Sequence, residues 1–226
     1  MKTAFRSVTV VGAAILLCSC HFHLFQPAAP PRSWVLIEKR NSEPIGYNSY
    51  TYVIFGQPTP QGDMKTQQIA RNRALLAAIA QTAPEASAAQ ANLFCVPAKP
   101  SSADRKPALD NYNPDVADMY RGSFDFLLRG GHQARILGMR LETDAGPFLI
   151  TMLEPMGPGQ KTAPLLITDL STTDPGKVPA IVAAYRQAPE PTDKSTGEHD
   201  FPSHLSEDLN KAGGNAVYWM PAPNPG

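Results

Sequence analysis

The sequence predicts an α+β fold: a single domain with a largely antiparallel or mixed sheet and three to four helices packed mainly on one of its faces. Three observations carry this expectation. Short runs rich in aromatic and β-branched residues follow one another in turn-linked pairs, with helical periods inserted between them irregularly. The regular strand-helix alternation of a doubly wound sheet is absent. A composition of 42% hydrophobic and 18% charged residues suits a packed domain, and 23 prolines in 226 residues imply much loop.

Trp34 to Glu38 and Ser49 to Phe55 read as strands, and the Asn41 to Gly46 turn cluster between them suggests an antiparallel pair. Along the second, Tyr50, Tyr52 and Ile54 share one face and Thr51, Val53 and Phe55 the other. Asp63 is placed as the cap of a helix to about Thr82, with Ile69, Leu76, Ile79 and Ala80 in an apolar stripe beside Leu75 and Lys65, Arg71 and Arg73 on the opposite face. Asn92 to Pro97 is a short apolar run that fits a buried strand ended by proline. From Pro97 to Asn111 runs the longest loop of the domain, a length often functional or disordered.

Asn113 as cap, Pro114 at the first helical position, and Asp115 and Asp118 near the positive end of the dipole mark the clearest helix start. Val116, Met119, Tyr120, Phe124 and Leu127 keep the helical period until Gly130 and Gly131. Gln133 to Leu141, Pro147 to Leu153 and Pro164 to Leu170 read as three further strands, the last two as a hairpin. Val178 to Gln187 suits a helix with Pro179 in its first turn. Residues 189–200 form a polar linker, Ser203 to Ala212 a short helix, and Asn215 to Met220 a final strand.

At the amino terminus, Lys2 and Arg6 precede an apolar run from Val8 to Cys18, the layout of a secretory signal and too short to span a bilayer comfortably. It ends in Leu17-Cys18-Ser19-Cys20, which resembles the bacterial lipobox. The resemblance covers the signal segment only. It implies cleavage before Cys20, a diacylglycerol thioether on that cysteine and an acylated amino terminus, several chains that anchor stably. His21 in place of aspartate after Cys20 leans toward the outer membrane, facing the periplasm. The organisation expected is a signal over 1–19, a lipid-anchored tether over 20–32, a domain over 33–220 and a disordered tail over 221–226.

Charge narrows the partners. Twenty basic and twenty acidic residues give a net charge of zero, which disfavours a nucleic-acid binder. Without residues 1–19 the chain carries 18 basic and 20 acidic residues, a formal −2, so membrane attachment rests on acyl chains rather than a basic patch. Cys95 is then the only thiol left free, and its neighbours Leu93, Phe94 and Val96 mark it as a core residue rather than a nucleophile.

No cofactor is implied. The loop Met156 to Thr162 lacks the Gly-Lys step of a phosphate loop, and Ser123 lacks the nucleophile-elbow pattern. His199, Asp200, His204 and Asp208 are weak metal candidates, because two histidines and a base on one turn are missing; a solvated linker explains them better. Tyr50, Tyr52, Tyr218 and Trp219 form the candidate binding face, although cross-strand packing is the commoner use of such residues. The function expected is a cell-envelope lipoprotein whose periplasm-facing domain binds an envelope protein or cell-wall component, or has a structural or assembly role. The alternative is an envelope enzyme, hydrolase-like, whose groups converge only in space.

Overall fold

The computed structural model describes residues 33–58, 62–81, 92–100, 105–128, 141, 143–157, 164–187 and 205–219. Six strands, β1 (Trp34–Ile37), β2 (Ser49–Ile54), β3 (Asn92–Pro97), β4 (Phe148–Met152), β5 (Leu165–Asp169) and β6 (Asn215–Trp219), form one mixed sheet in the order β1-β3-β2-β4-β5-β6. Helices α1 (Asp63–Ala80), α2 (Pro114–Leu128), α3 (Val178–Gln187) and α4 (Leu205–Lys211) pack against it. The fold is α+β, as the sequence predicts.

One pairing differs from expectation. β1 and β2 do not form an antiparallel pair; β3 lies between them and runs parallel to both. Its six residues are all buried, so it belongs in the interior of the sheet, where a continuous apolar run is stable. The hairpin of β4 and β5 is present, antiparallel, with β2 on one side and β6 on the other. Of the strand expected over Gln133 to Leu141, only Leu141 lies among the described residues, and it is buried and helical, not extended. The expected signal, the tether with Cys20, and the tail also lie outside them.

Register divides the side chains between two faces. Tyr52, opposite Cys95 and Ile150, points to the face where the Tyr120 and Phe124 rings of α2 lie 4.9 and 5.4 Å away. Thr51, opposite Phe94 and Thr151, points to the other face, where Tyr185 of α3 meets Phe94 edge-on at 5.9 Å. α1 packs beside α3, and Arg186 ties them by donating from Nη2 to the Ile79 and Gln81 carbonyls, both at 2.8 Å. Among the described elements, α1, α3 and α4 thus share one face, and α2 covers the other.

The helix details refine the expected elements. Gly62, not Asp63, caps α1, at φ 83° and without a side-chain cap. Arg71, expected on the outer face, is buried together with Gln68 and Asn72, because all three fall on the same helical stripe as Leu75, Leu76 and Ile79. In α2 the Asn113 cap is as expected, its Oδ1 accepting from Asp115 N at 3.0 Å. Met119 lies outside the apolar stripe, 45% exposed.

Candidate functional site

β2 leads into α1 on one face, and its parallel neighbour β3 leads into α2 on the opposite face. Connections that diverge from adjacent parallel strands open a crevice at the carboxyl ends of those strands, the usual ligand position in α/β sheets. The loop after β3 preserves this geometry. Ala98 bridges Tyr112, Lys99 N donates to Asn111 O at 2.9 Å, and Asn113 N donates to Pro97 O at 3.2 Å. The loop therefore returns to its origin, and α2 starts directly at the end of β3.

That return delivers Tyr112 to the crevice. Its ring stacks on Phe55 at 4.0 Å, while its hydroxyl accepts from Phe55 N at 2.9 Å and donates to Val53 O at 3.3 Å. Burial raises the Tyr112 hydroxyl above the usual tyrosine range, so it stays a neutral donor and acceptor. Below it, Gly56 meets the backbone of Asp144 to Gly146, where a Cβ on Gly56 would stand 2.0 Å from the Asp144 carbonyl oxygen. Gln68 of α1 secures the same junction by donating from Nε2 to Gln57 O at 2.9 Å and Ala145 O at 2.6 Å.

The crevice has a volume of about 390 Å³, within the range of small-ligand sites, and Phe55, Ile69, Leu109 and Tyr112 give it apolar walls. On the α2 wall, Arg121 pairs with Asp118 and donates from Nη2 to Phe55 O at 2.6 Å. On the α1 wall, Lys65 is exposed, whereas Asn72 is buried and its Oδ1 receives no hydrogen bond. Among the described lining residues, Lys65, Asp118 and Arg121 carry charge, an excess of one positive. Chemically, this is a cleft that holds a ligand between apolar walls and fixes it by a few polar contacts.

The aromatic residues expected to form a binding face are placed differently. Tyr50 and Tyr52 are 1% and 0% exposed, so their rings are packing elements and not a surface. Tyr52 and Tyr120 each donate to Glu43 Oε1 at 2.8 Å, and Tyr52 accepts from Met156 N at 2.7 Å. Glu43 thereby fastens the β1–β2 connection, and the Tyr52 hydroxyl the segment after β4, to one sheet face. Tyr218 and Trp219 are the last residues of β6, an edge strand well removed in the sheet order from β2.

Cys95 lies beneath this cluster, fully buried, its Sγ 3.8 Å from the Leu93 carbonyl. Burial, with the Glu43 carboxylate adding, pushes its thiol well above the ordinary cysteine range. In a chain carrying Cys18→Ala and Cys20→Ala, iodoacetamide is expected to label Cys95 only as fast as the protein unfolds. Labelling in native buffer at the rate of a free peptide thiol would contradict this placement.

The opposite face is stitched by polar contacts across the sheet. Ser49 and Thr51 donate to Asn92 Oδ1 at 2.9 and 2.7 Å, Thr51 meets Thr151 at 2.8 Å, and Thr168 meets the Tyr185 hydroxyl at 2.7 Å. Burial pushes Tyr185 up to about 12, against 10.0 for a free tyrosine, although its bonds to Thr168 and Thr151 lower it somewhat. The unfolded chain therefore loses this proton first. Its contribution to stability is complete below pH 10 and falls as pH rises from about 10 to 12. An alkaline melt followed at 295 nm should show tyrosinate absorbance appearing with unfolding; smooth titration of buried tyrosines in the folded protein would oppose it.

His199, Asp200 and His204 lie outside the described residues, and Asp208 sits on α4. Among the described residues, no group of three or more His, Cys, Asp or Glu is placed to hold a metal ion. Sequence reasoning missed Asn72, Gln68, Tyr112, Arg121 and Glu43. A signal for the crevice existed in the two helices that come next after the carboxyl ends of β2 and β3, but it is readable only once those strands are known to be parallel neighbours. Comparison with protein-family models, curated proteins and solved structures finds no match to this chain.

Proposed function

We propose that this chain is a lipid-anchored envelope protein, held at Cys20 to the outer membrane, whose periplasm-facing domain binds a cell-wall component or a segment of a protein partner in the crevice between α1 and α2. The observation that carries the reading is the state of the crevice's polar groups. Gln68, Tyr112 and Arg121 are fixed by bonds to backbone or to Asp118, which shapes a rigid apolar-walled cleft rather than arming an acid, base or nucleophile. Preorganised walls favour binding, since little is lost in ordering them.

The test is a pull-down from crosslinked envelopes with the intact protein, with Cys20→Ala, and with Ile69→Trp, which fills the crevice from its partly exposed wall. One ligand recovered reproducibly, weakened without the anchor and lost on filling the crevice, is the expected result. Equal recovery by Ile69→Trp, or conversion of the recovered ligand to product, would move the reading to another surface or to the envelope-enzyme alternative.

A further inference from the structure

Among the described polar groups of the crevice, two are buried without a hydrogen-bond partner: Asn72 Oδ1 on α1, an acceptor, and Arg121 Nε on α2, a donor. Asn72 is 7% exposed. A buried acceptor left without a donor is costly, and a ligand N–H would recover that cost. Gln68, one turn earlier on the same wall, has its amide committed to two carbonyls, and the terminal nitrogens of Arg121 opposite are committed to Asp118 and Phe55, leaving its Nε as the unpartnered donor. Among the described lining residues, the buried acceptor awaiting a partner is therefore on α1.

Lys65 stands seven residues before Asn72 on the same helix, with Ile69 between them on the lining. Two helical turns separate the pair by about 10.5 Å along the axis. An extended chain advances about 3.3 Å per residue, so about three residues cover that distance. The lysine is exposed at the crevice and supplies its net positive charge, while Ile69, Leu109 and the Phe55–Tyr112 stack form the apolar walls.

Resting on the reading of the crevice as the binding site, we infer that its ligand is a short peptide segment ending in a free carboxylate, laid along α1 with the carboxylate at Lys65, an apolar side chain against Ile69 and a backbone N–H on Asn72 Oδ1. A single amino acid is too short to engage both ends. A longer chain continues past Asn72.

The full chain, purified in detergent, is titrated calorimetrically with N-acetyl-Ala-Leu-Ala as the free acid, with the same peptide as its C-terminal amide, and with leucine. The free acid should bind, the amide about fivefold or more weakly, and leucine not detectably. Lys65→Gln should remove the advantage of the acid. Asn72→Leu should weaken both peptides about tenfold, the worth of one buried hydrogen bond. If Asn72→Leu does not fold by circular dichroism, Asn72→Ser reads the same loss.

Equal binding of acid and amide, no binding of either, or wild-type affinity in the Asn72 variant would overturn the peptide assignment. If envelope material is still captured and still lost in Ile69→Trp, the crevice stands and only its ligand class falls. If Ile69→Trp retains that material, the crevice and this inference fall together.

Discussion

Replacing Gly56 by alanine is expected to lower the melting temperature by roughly 6–12 °C, from a destabilisation of about 3 kcal/mol, the upper end of ordinary overpacking. The added Cβ would lie 2.0 Å from Asp144 O, 2.5 Å from Ala145 C and 2.6 Å from Gly146 N, all backbone atoms with no rotamer to escape into. Gly146 is constrained reciprocally, at φ 61° with its own Cβ position 2.6 Å from Gly56 N. Because Gln57 N donates to Asp144 O across the same junction, relief of the clash would shift the crevice lining as well. Gly122→Ala is the control. Its Cβ would meet nothing within 4 Å on the surface of α2, and alanine there should raise stability by up to about 1 kcal/mol. Thermal denaturation of the two variants side by side decides the matter, and matching melting temperatures would mean that the junction is not tight.

Tyr52→Ala should be costlier still, about 3–5 kcal/mol, since it removes a fully buried ring packed on Tyr120 and Phe124. Tyr52→Phe keeps the ring and removes only the hydroxyl, which donates to Glu43 and accepts from Met156 N. A loss of about 1–3 kcal/mol is expected, because the Met156 N–H is then left buried without an acceptor. Chemical denaturation separates the two effects. If both variants unfolded at the wild-type midpoint while ligand capture was lost, the ring would be a contact residue and the packing account would be wrong.

These two positions also show how far the sequence alone reaches. The elements were legible because their signals are local: Asn113 and Pro114 start α2, Pro179 sits in the first turn of α3, and the alternation of Tyr50, Tyr52 and Ile54 sets a face of β2. Pairing was not. The turn cluster from Asn41 to Gly46 resembles a hairpin connection, yet its Glu43 reaches across to Tyr52 and Tyr120, and β3 occupies the space beside β2. Partner choice depends on which apolar run is buried deepest, a property of the whole sheet.

The crevice was hidden for the same reason. Its residues come from the end of β2, the first turns of α1 and α2, and a loop whose closure through Ala98 and Tyr112 no local pattern announces. Buried polar residues such as Gln68, Arg71 and Asn72 were also unreadable. On a helical wheel they share the stripe of Leu75, Leu76 and Ile79, but their polar character points to solvent, and their burial shows only once the sheet and the Ala145 segment pack on that stripe.

Hydrogen–deuterium exchange of the full chain, with and without envelope extract, tests the placement of the binding site most directly. Protection confined to 55–58, 63–72 and 109–121 is the expected result, because those backbone segments surround the crevice. Protection on β6 or on the outer side of α2, with those three segments unchanged, would contradict it.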